Sequence, residues 1–362
     1  MIEVKVTLPL YIRKGPGRSF APIGTIQPSG KIIQMDGIKE DGENWKGIAK
    51  WYYKLNDKNQ KQWYWAGRLE PVTAEKVALP WSMTNLRITD VWRDFNESGR
   101  NAKIAIMDSG YNINNTEIAN AIAGKRSFII ADPEQTTDND MNDEFGHGSH
   151  CAALIAARNI TNMVGFAPAC KLYVGKVSQL GELSFDTLIK GIRWAIDTGV
   201  DIISISYGGP DRNKDLEDII QEAINIKNII VVASIGDDFT FQNLKNGDYP
   251  ALFSDCIAVG ATNKDSKMAR VSYINTKTEI YAPGEDIPSY ALGNTPENMT
   301  GTSQAAAIVA GICALMVSRH RAIGKSFTPA SIKKLITDNF DPITGSNNLK
   351  LISPKKIFNS IK

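Results

Sequence analysis

Lys103-Ile104-Ala105-Ile106-Met107-Asp108-Ser109-Gly110 is an apolar run that stops on a carboxylate and a turn. Four successive apolar residues without alternation read as a strand buried on both faces, the mark of a parallel sheet covered by helices. Further runs of this kind lie at 171–177, 201–206, 229–233 and 256–260. Stretches at 147–158, 184–199, 214–227, 303–318 and 329–338 read as helices. Strands alternating with helices predict an α/β domain with a mainly parallel sheet, placed over residues 101–362. Residues 73–100 read as a connector with one helix around Ile88-Thr89-Asp90-Val91-Trp92.

In such a sheet, loops after strand C-termini and at helix N-termini converge on one crevice. Three motifs fall at such places. Asp108-Ser109-Gly110 follows a strand, Gly146-His147-Gly148-Ser149-His150 opens a helix, and Gly301-Thr302-Ser303-Gln304-Ala305-Ala306 opens another. Attack of a hydroxyl on a carbonyl needs a base for the serine proton, a carboxylate to hold that base in one tautomer, and donors for the oxyanion. Asp108, His147 and Ser303 supply the first parts, in one of the chain orders known for this chemistry.

Together with Ser204-Ile205-Ser206-Tyr207-Gly208-Gly209, Tyr249-Pro250-Ala251, Ile257-Ala258-Val259-Gly260 and Ala282-Pro283-Gly284, these motifs resemble the subtilisin family of serine peptidases over about residues 80–318. The resemblance implies a three-layer α/β sandwich and an endopeptidase working through an acyl-enzyme on Ser303. Asp108 is then the orienting acid, His147 the general base, and His150 structural. It also implies that Ser206, Tyr207, Gly208 and Gly209 pair with an extended substrate as an added strand. Asp248 falls at the base of the P1 pocket, where a carboxylate favours Lys or Arg. The other reading of Asp248 is a side chain turned to solvent in the Asn246-Gly247-Asp248 turn.

Two positions depart from the family pattern. Gly236-Asp237 stands where Gly-Asn is usual, the Asn amide being an oxyanion donor. An ionised Asp offers no donor, and losing one lowers turnover by roughly 10²–10³. A protonated carboxyl donates, but needs burial or a like charge to raise its pKa. The Ser303 backbone N–H, at a helix N-terminus, remains as the second member of the oxyanion hole. Asp237 keeps a rival reading open: a pseudopeptidase or peptide-binding scaffold with little turnover. Ala307 replaces a common proline four residues after the nucleophile.

Residues 1–72 read differently, as short β segments cut by turns at Gly15-Pro16-Gly17, Pro28-Ser29-Gly30 and Asp41-Gly42. Four of the seven tryptophans lie here (Trp45, Trp51, Trp63 and Trp65), as a small unit needs to build a core. Leu10–Gly17, Ile23-Gly24-Thr25-Ile26, Trp45 and Gln62–Leu69 resemble a bacterial SH3 domain, a small β-barrel. Such modules bind cell-wall peptides or polymers, or only pack against their enzyme. The 12 Lys/Arg against 7 Asp/Glu in 1–72 give +5, which suits an acidic wall polymer or a solvated basic face. A wall-binding adhesin rests on this module alone.

The whole chain carries +2, too little to predict a nucleic-acid partner. Cys151, Cys170, Cys256 and Cys313 show no CxxC spacing and read as buried thiols, so neither zinc nor any other cofactor is expected. Asp132–Glu144 holds six carboxylates and no Lys or Arg, and reads as a calcium site or a solvated loop. Asn159-Ile160-Thr161-Asn162 occupies the region of a calcium loop found in relatives. No stretch approaches eighteen consecutive apolar residues, so no membrane span is expected. The N-terminus lacks an apolar stretch behind a basic start, so the expected location is cytoplasmic. Secretion after removal of a signal or pro-segment is the alternative, since the family's pro-domain would precede the catalytic domain.

Overall fold

The computed structural model describes six strands within the first 77 residues and, from Leu79 to Ile361, everything except 130–139, 159–162 and 241–246. The chain divides into two units, Met1–Val77 and Ala78–Lys362.

The first unit contains β1 (Ile2–Val6), β2 (Ile32–Met35), β3 (Gly37–Asp41), β4 (Ala49–Leu55), β5 (Lys61–Trp65) and β6 (Leu69–Pro71). They form two antiparallel sheets, with β1 between β2 and β6, and β4 between β3 and β5. Leu10–Gly17, Ile23–Ile26 and Trp45, which carry much of the SH3-like resemblance, lie outside the described residues.

The second unit opens with α1 (Trp81–Asn85) and α2 (Ile88–Phe95). Then come β7 (Lys103–Asp108), α3 (Thr116–Ala119), β8 (Ile122–Ser127), α4 (His147–Ala156) and β9 (Lys171–Lys176). A small hairpin, β10 (Ser178–Gln179) with β11 (Glu182–Leu183), leads to α5 (Phe185–Thr198), β12 (Ile202–Ile205) and α6 (Lys214–Gln221), which runs on as a π turn. Next are β13 (Ile230–Ser234), β14 (Ile257–Thr262), β15 (Ile280–Pro283) and the hairpin β16 (Ile287–Tyr290) with β17 (Pro296–Met299). The chain closes with α7 (Thr302–Ala322), α8 (Pro329–Asp338), β18 (Phe340–Ile343), β19 (Ser346–Ile352) and α9 (Pro354–Ser360).

The main sheet has the order β18-β19-β15-β14-β13-β12-β7-β9-β8. All neighbours pair in parallel except β18 with β19. Alternation along each strand splits the core in two. Ile104, Ile106, Ile202, Ile230 and Val232 face α4 and α7, while Ala105, Met107, Ile203, Val231 and Ala233 face α5 and α6. This is the three-layer α/β arrangement expected from the sequence.

The helices form for local reasons. Ser184 caps α5 by accepting from Asp186 N–H, and Gly199, at φ 67°, ends it. Leu188, Ile192, Ala195 and Ile196 then line one face at helical spacing. Each of the larger three contributes about 1.5–3 kcal/mol on burial. Helix α7 is apolar all round and packed inside the domain. By length and composition it could cross a membrane, yet 94% of its apolar window is buried, so it is a core helix. Its uninterrupted apolar run, Ala305–Val317, stops well short of eighteen residues.

Candidate active site

β7, β12 and β13 are neighbours and run the same way, so Asp108, Ser206–Gly209 and Gly236-Asp237 emerge at one edge of the sheet. Asp108 is fully buried, and its Oδ1 accepts from Ser109 N–H and from His147 Nδ1–H, each at 2.8 Å. His147 is the first residue of α4. The close approach of the two motifs requires two glycines. A Cβ on Gly148 would collide with the Gly110 carbonyl oxygen, and Gly110 sits at φ +108° with Met141 O against it.

Burial alone would push the His147 imidazole down. The Asp108 carboxylate outweighs it, with Asp143 and Asp237 adding to the same effect, so the ring titrates above its ordinary value. Tyr207 and Phe145 pack on the imidazole, with ring centroids 5.4 and 6.2 Å away. Nδ1 is committed to Asp108, which leaves Nε2 to accept a proton.

Ser303 lies in the first turn of α7 and is 6% exposed. Its hydroxyl donates to the Ser206 carbonyl at 3.0 Å rather than to His147. Cys151 ties this half of the site to the other. Its ligand atom lies within 4.8 Å of those of Asp108 and His147, and its Sγ is 4.0 Å from the Ser303 carbonyl. Burial holds the Cys151 thiol far above its usual range, so it is no competing nucleophile. All four cysteines are buried and unpaired.

Asp237 is placed by α7 as well. Its Oδ1 accepts Thr302 N–H at 2.7 Å, and Gly236 N–H donates to Thr302 Oγ1 at 3.2 Å. Burial raises the Asp237 carboxyl to about 6, a nearby Asp248 adding to it while Thr302 and His147 oppose. Ser303 N–H, next along the helix, meets no acceptor among the described residues. Asp248 is half-buried, with Oδ2 against Gly236, and burial raises its carboxyl also. It is therefore not the solvent-turned side chain that one reading allowed.

Gly209 exchanges both backbone hydrogen bonds with Tyr249, at 3.2 and 2.8 Å. Gly208 lies so close to the Tyr249 carbonyl that a Cβ would meet it at 2.5 Å. These glycines thus answer to a neighbouring loop, and Gly209's own ladder positions are taken. Ala307 is buried inside α7.

His150 is buried and its Nε2 donates to Ile287 O at 2.9 Å, joining α4 to β16. Burial pushes its imidazole down to about 4. Asn159–Asn162 and most of the acidic stretch lie outside the described residues. Of that stretch, Asp143 is buried among five donors and is no solvated loop residue. Its signal in the sequence was only its place four residues before His147.

The sequence pattern of the Subtilase family matches residues 99–352. Subtilisin NAT of Bacillus subtilis subsp. natto is 34% identical over 225 residues, which is 62% of this chain and 57% of that protein. The chain thus spans a little over half the length of that relative. An intracellular serine protease of Paenibacillus polymyxa is 33% identical over 244 residues, 66% of this chain and 72% of its own. The major intracellular serine protease of Bacillus subtilis (strain 168) is 28% identical over 305 residues, 80% of this chain and 95% of its own.

Proposed function

The chain belongs to the subtilase family, and from that premise we propose that it is a serine endopeptidase acting through Asp108, His147 and Ser303. The observation that carries this reading is the 2.8 Å bond from His147 Nδ1 to buried Asp108, with Ser303 opening the core helix beside it. In the reaction, the Ser303 hydroxyl turns from the Ser206 carbonyl toward His147 Nε2. It gives its proton to that nitrogen as Oγ attacks the peptide carbonyl. Asp108 holds the tautomer and stabilises the imidazolium. The imidazolium then protonates the leaving amine, and water hydrolyses the acyl-enzyme by the same base.

Ser303 N–H is the oxyanion donor in this reading. Asp237 donates only when protonated, below about pH 6, whereas His147 must be neutral, above its raised pKa. Where His147 is neutral, Asp237 is mostly ionised, so in this reading the hole has one main donor. The same fact favours the second reading, a peptide-binding protein of little turnover. Ser206, Tyr207 and Gly208 would offer backbone to an extended substrate. Asp248, half-buried beside Gly236, would select Lys or Arg at P1.

For residues 1–72 we take an SH3-like module with a cell-wall ligand, supported by the two antiparallel sheets and the basic balance. Relatives named as intracellular proteases support a cytoplasmic location for this chain. Purified cell wall that fails to retain the protein would leave the module only a packing role.

A fluorophosphonate probe tests the main reading. The wild type should label and cleave a peptide library, and Ser303→Ala should do neither. A wild type that does neither, while Asp237→Asn does both, would establish the peptide-binding reading instead.

A further inference from the structure

Asp143 carries the densest hydrogen bonding near the site, and no step above uses it. Its Oδ1 accepts from the Ser109 hydroxyl at 2.8 Å, Gly146 N–H at 2.8 Å and Phe145 N–H at 3.0 Å. Its Oδ2 accepts from Ser149 N–H at 2.8 Å and the Ser149 hydroxyl at 2.6 Å. Five donors occupy the lone pairs of one carboxylate, which leaves it nothing to offer a cation.

These donors belong to two motifs. Gly146 and Ser149 start α4, where the first amides have no intrahelical partner. Ser109 follows Asp108, and its Oγ also accepts from Gly148 N–H at 3.0 Å. The Ser149 hydroxyl in turn accepts from Asn112 N–H at 2.8 Å. One buried carboxylate therefore joins the turn that carries Asp108 to the helix that begins with His147. Among the described residues the imidazole has no hydrogen bond besides that to Asp108, so the start of α4 sets where the ring stands.

We propose that Asp143 is a positioning residue of the peptidase, fixing Asp108 and His147 against each other and adding negative charge that favours the imidazolium. This rests on the peptidase reading. The other charged or titratable groups around the ring are Asp108 from β7, Asp237 after β13, Tyr207 after β12, and His150 and Cys151 of α4 itself. Lys176 of β9 faces the loop rather than the ring, donating to Asn142 O at 2.8 Å and lying 3.7 Å from Asp140.

The test is Asp143→Asn in the full chain, which keeps shape and one acceptor oxygen but removes the charge and the bond to Ser149 N–H. We expect kcat to fall by about 10²-fold, the cost of a small misplacement of a catalytic group, with KM unchanged. The acidic limb of kcat/KM should move to lower pH. The imidazole titration of His147, followed by NMR, should move the same way. A titration that stays in place overturns the proposal, whatever turnover does. That signal needs no turnover, so a chain that hydrolyses nothing would sink the peptidase reading and still decide this one. Should Asp143→Asn fail to fold, Ser109→Ala cuts the link between the carboxylates. Its low-field His147 Nδ1 proton signal should then move upfield, and an unchanged signal overturns the proposal.

Discussion

Asp237 Oδ1 accepts the backbone N–H of Thr302 at 2.7 Å, so the carboxylate proposed to lie beside the oxyanion also caps the helix that begins with Thr302 and Ser303. A negative charge suits a helix N-terminus. It does not suit an oxyanion. In the proposed reaction one side chain therefore acts on helix and oxyanion with opposite sign.

Replacing Asp237 by Asn should raise kcat at pH 8 by about 10²–10³, the worth of one oxyanion donor. Steady-state kinetics on a short peptide measure it. An unchanged kcat would mean that Asp237 does not face the developing charge.

The same variant has a stability consequence. Native Asp237 titrates near 6 against 3.8 in the unfolded chain. Its folded pKa is raised, so its stabilising contribution is complete below 3.8 and is lost as pH rises through 6. Ionised at pH 8, it costs roughly 3 kcal/mol. Asp237→Asn should raise Tm more at pH 8 than at pH 4.5, by calorimetry at both.

Asp108→Asn should lower kcat by about 10⁴, because an amide beside Nδ1 stabilises the wrong tautomer. The wild-type acidic limb should lie above the ordinary histidine value, since Asp108 outweighs burial. Activity is lost as pH falls through it. In Asp108→Asn the limb should move down, which a pH series of kcat/KM reads.

Asp248→Asn should weaken cleavage after Lys and Arg relative to neutral residues. Its carboxylate lies against Gly236, one residue from Asp237, and carries no ion pair among the described residues. A library that shows the same P1 order for both proteins removes Asp248 from the account.

Gly148→Ala should lower both Tm and kcat, because the new methyl collides with the Gly110 carbonyl and pushes α4 away from Asp108. A displacement of about 1 Å is enough for roughly 10² in rate. Equal kcat would show that the turn yields freely.

Much of the domain was legible in short stretches. Ile104–Met107 and Ile202–Ile205 announce buried parallel strands because the first run is wholly apolar and only Ser204 interrupts the second. Two strands were not legible: β8, at the sheet edge, runs Gly124-Lys125-Arg126 through its middle, and β15, inside the sheet, is four residues long and ends in proline. The residues proposed to react could be picked out because such chemistry is restricted to few residue types. Asp143 was hidden because its partners are mostly backbone amides, which any sequence supplies. The resting direction of the Ser303 hydroxyl and the collision at Gly148 depend on distances that residue identities alone do not encode.

Helix α7 gives the molecule a particular way of failing. Ser303 stands on an element whose every side chain from Thr302 to Ser318 is buried. Fraying or local opening can therefore not disarm it, since exposing the first turn exposes the core. Loss of activity on heating should follow global unfolding in a single exponential, so that Ser303, the proposed nucleophile, lasts as long as the native state.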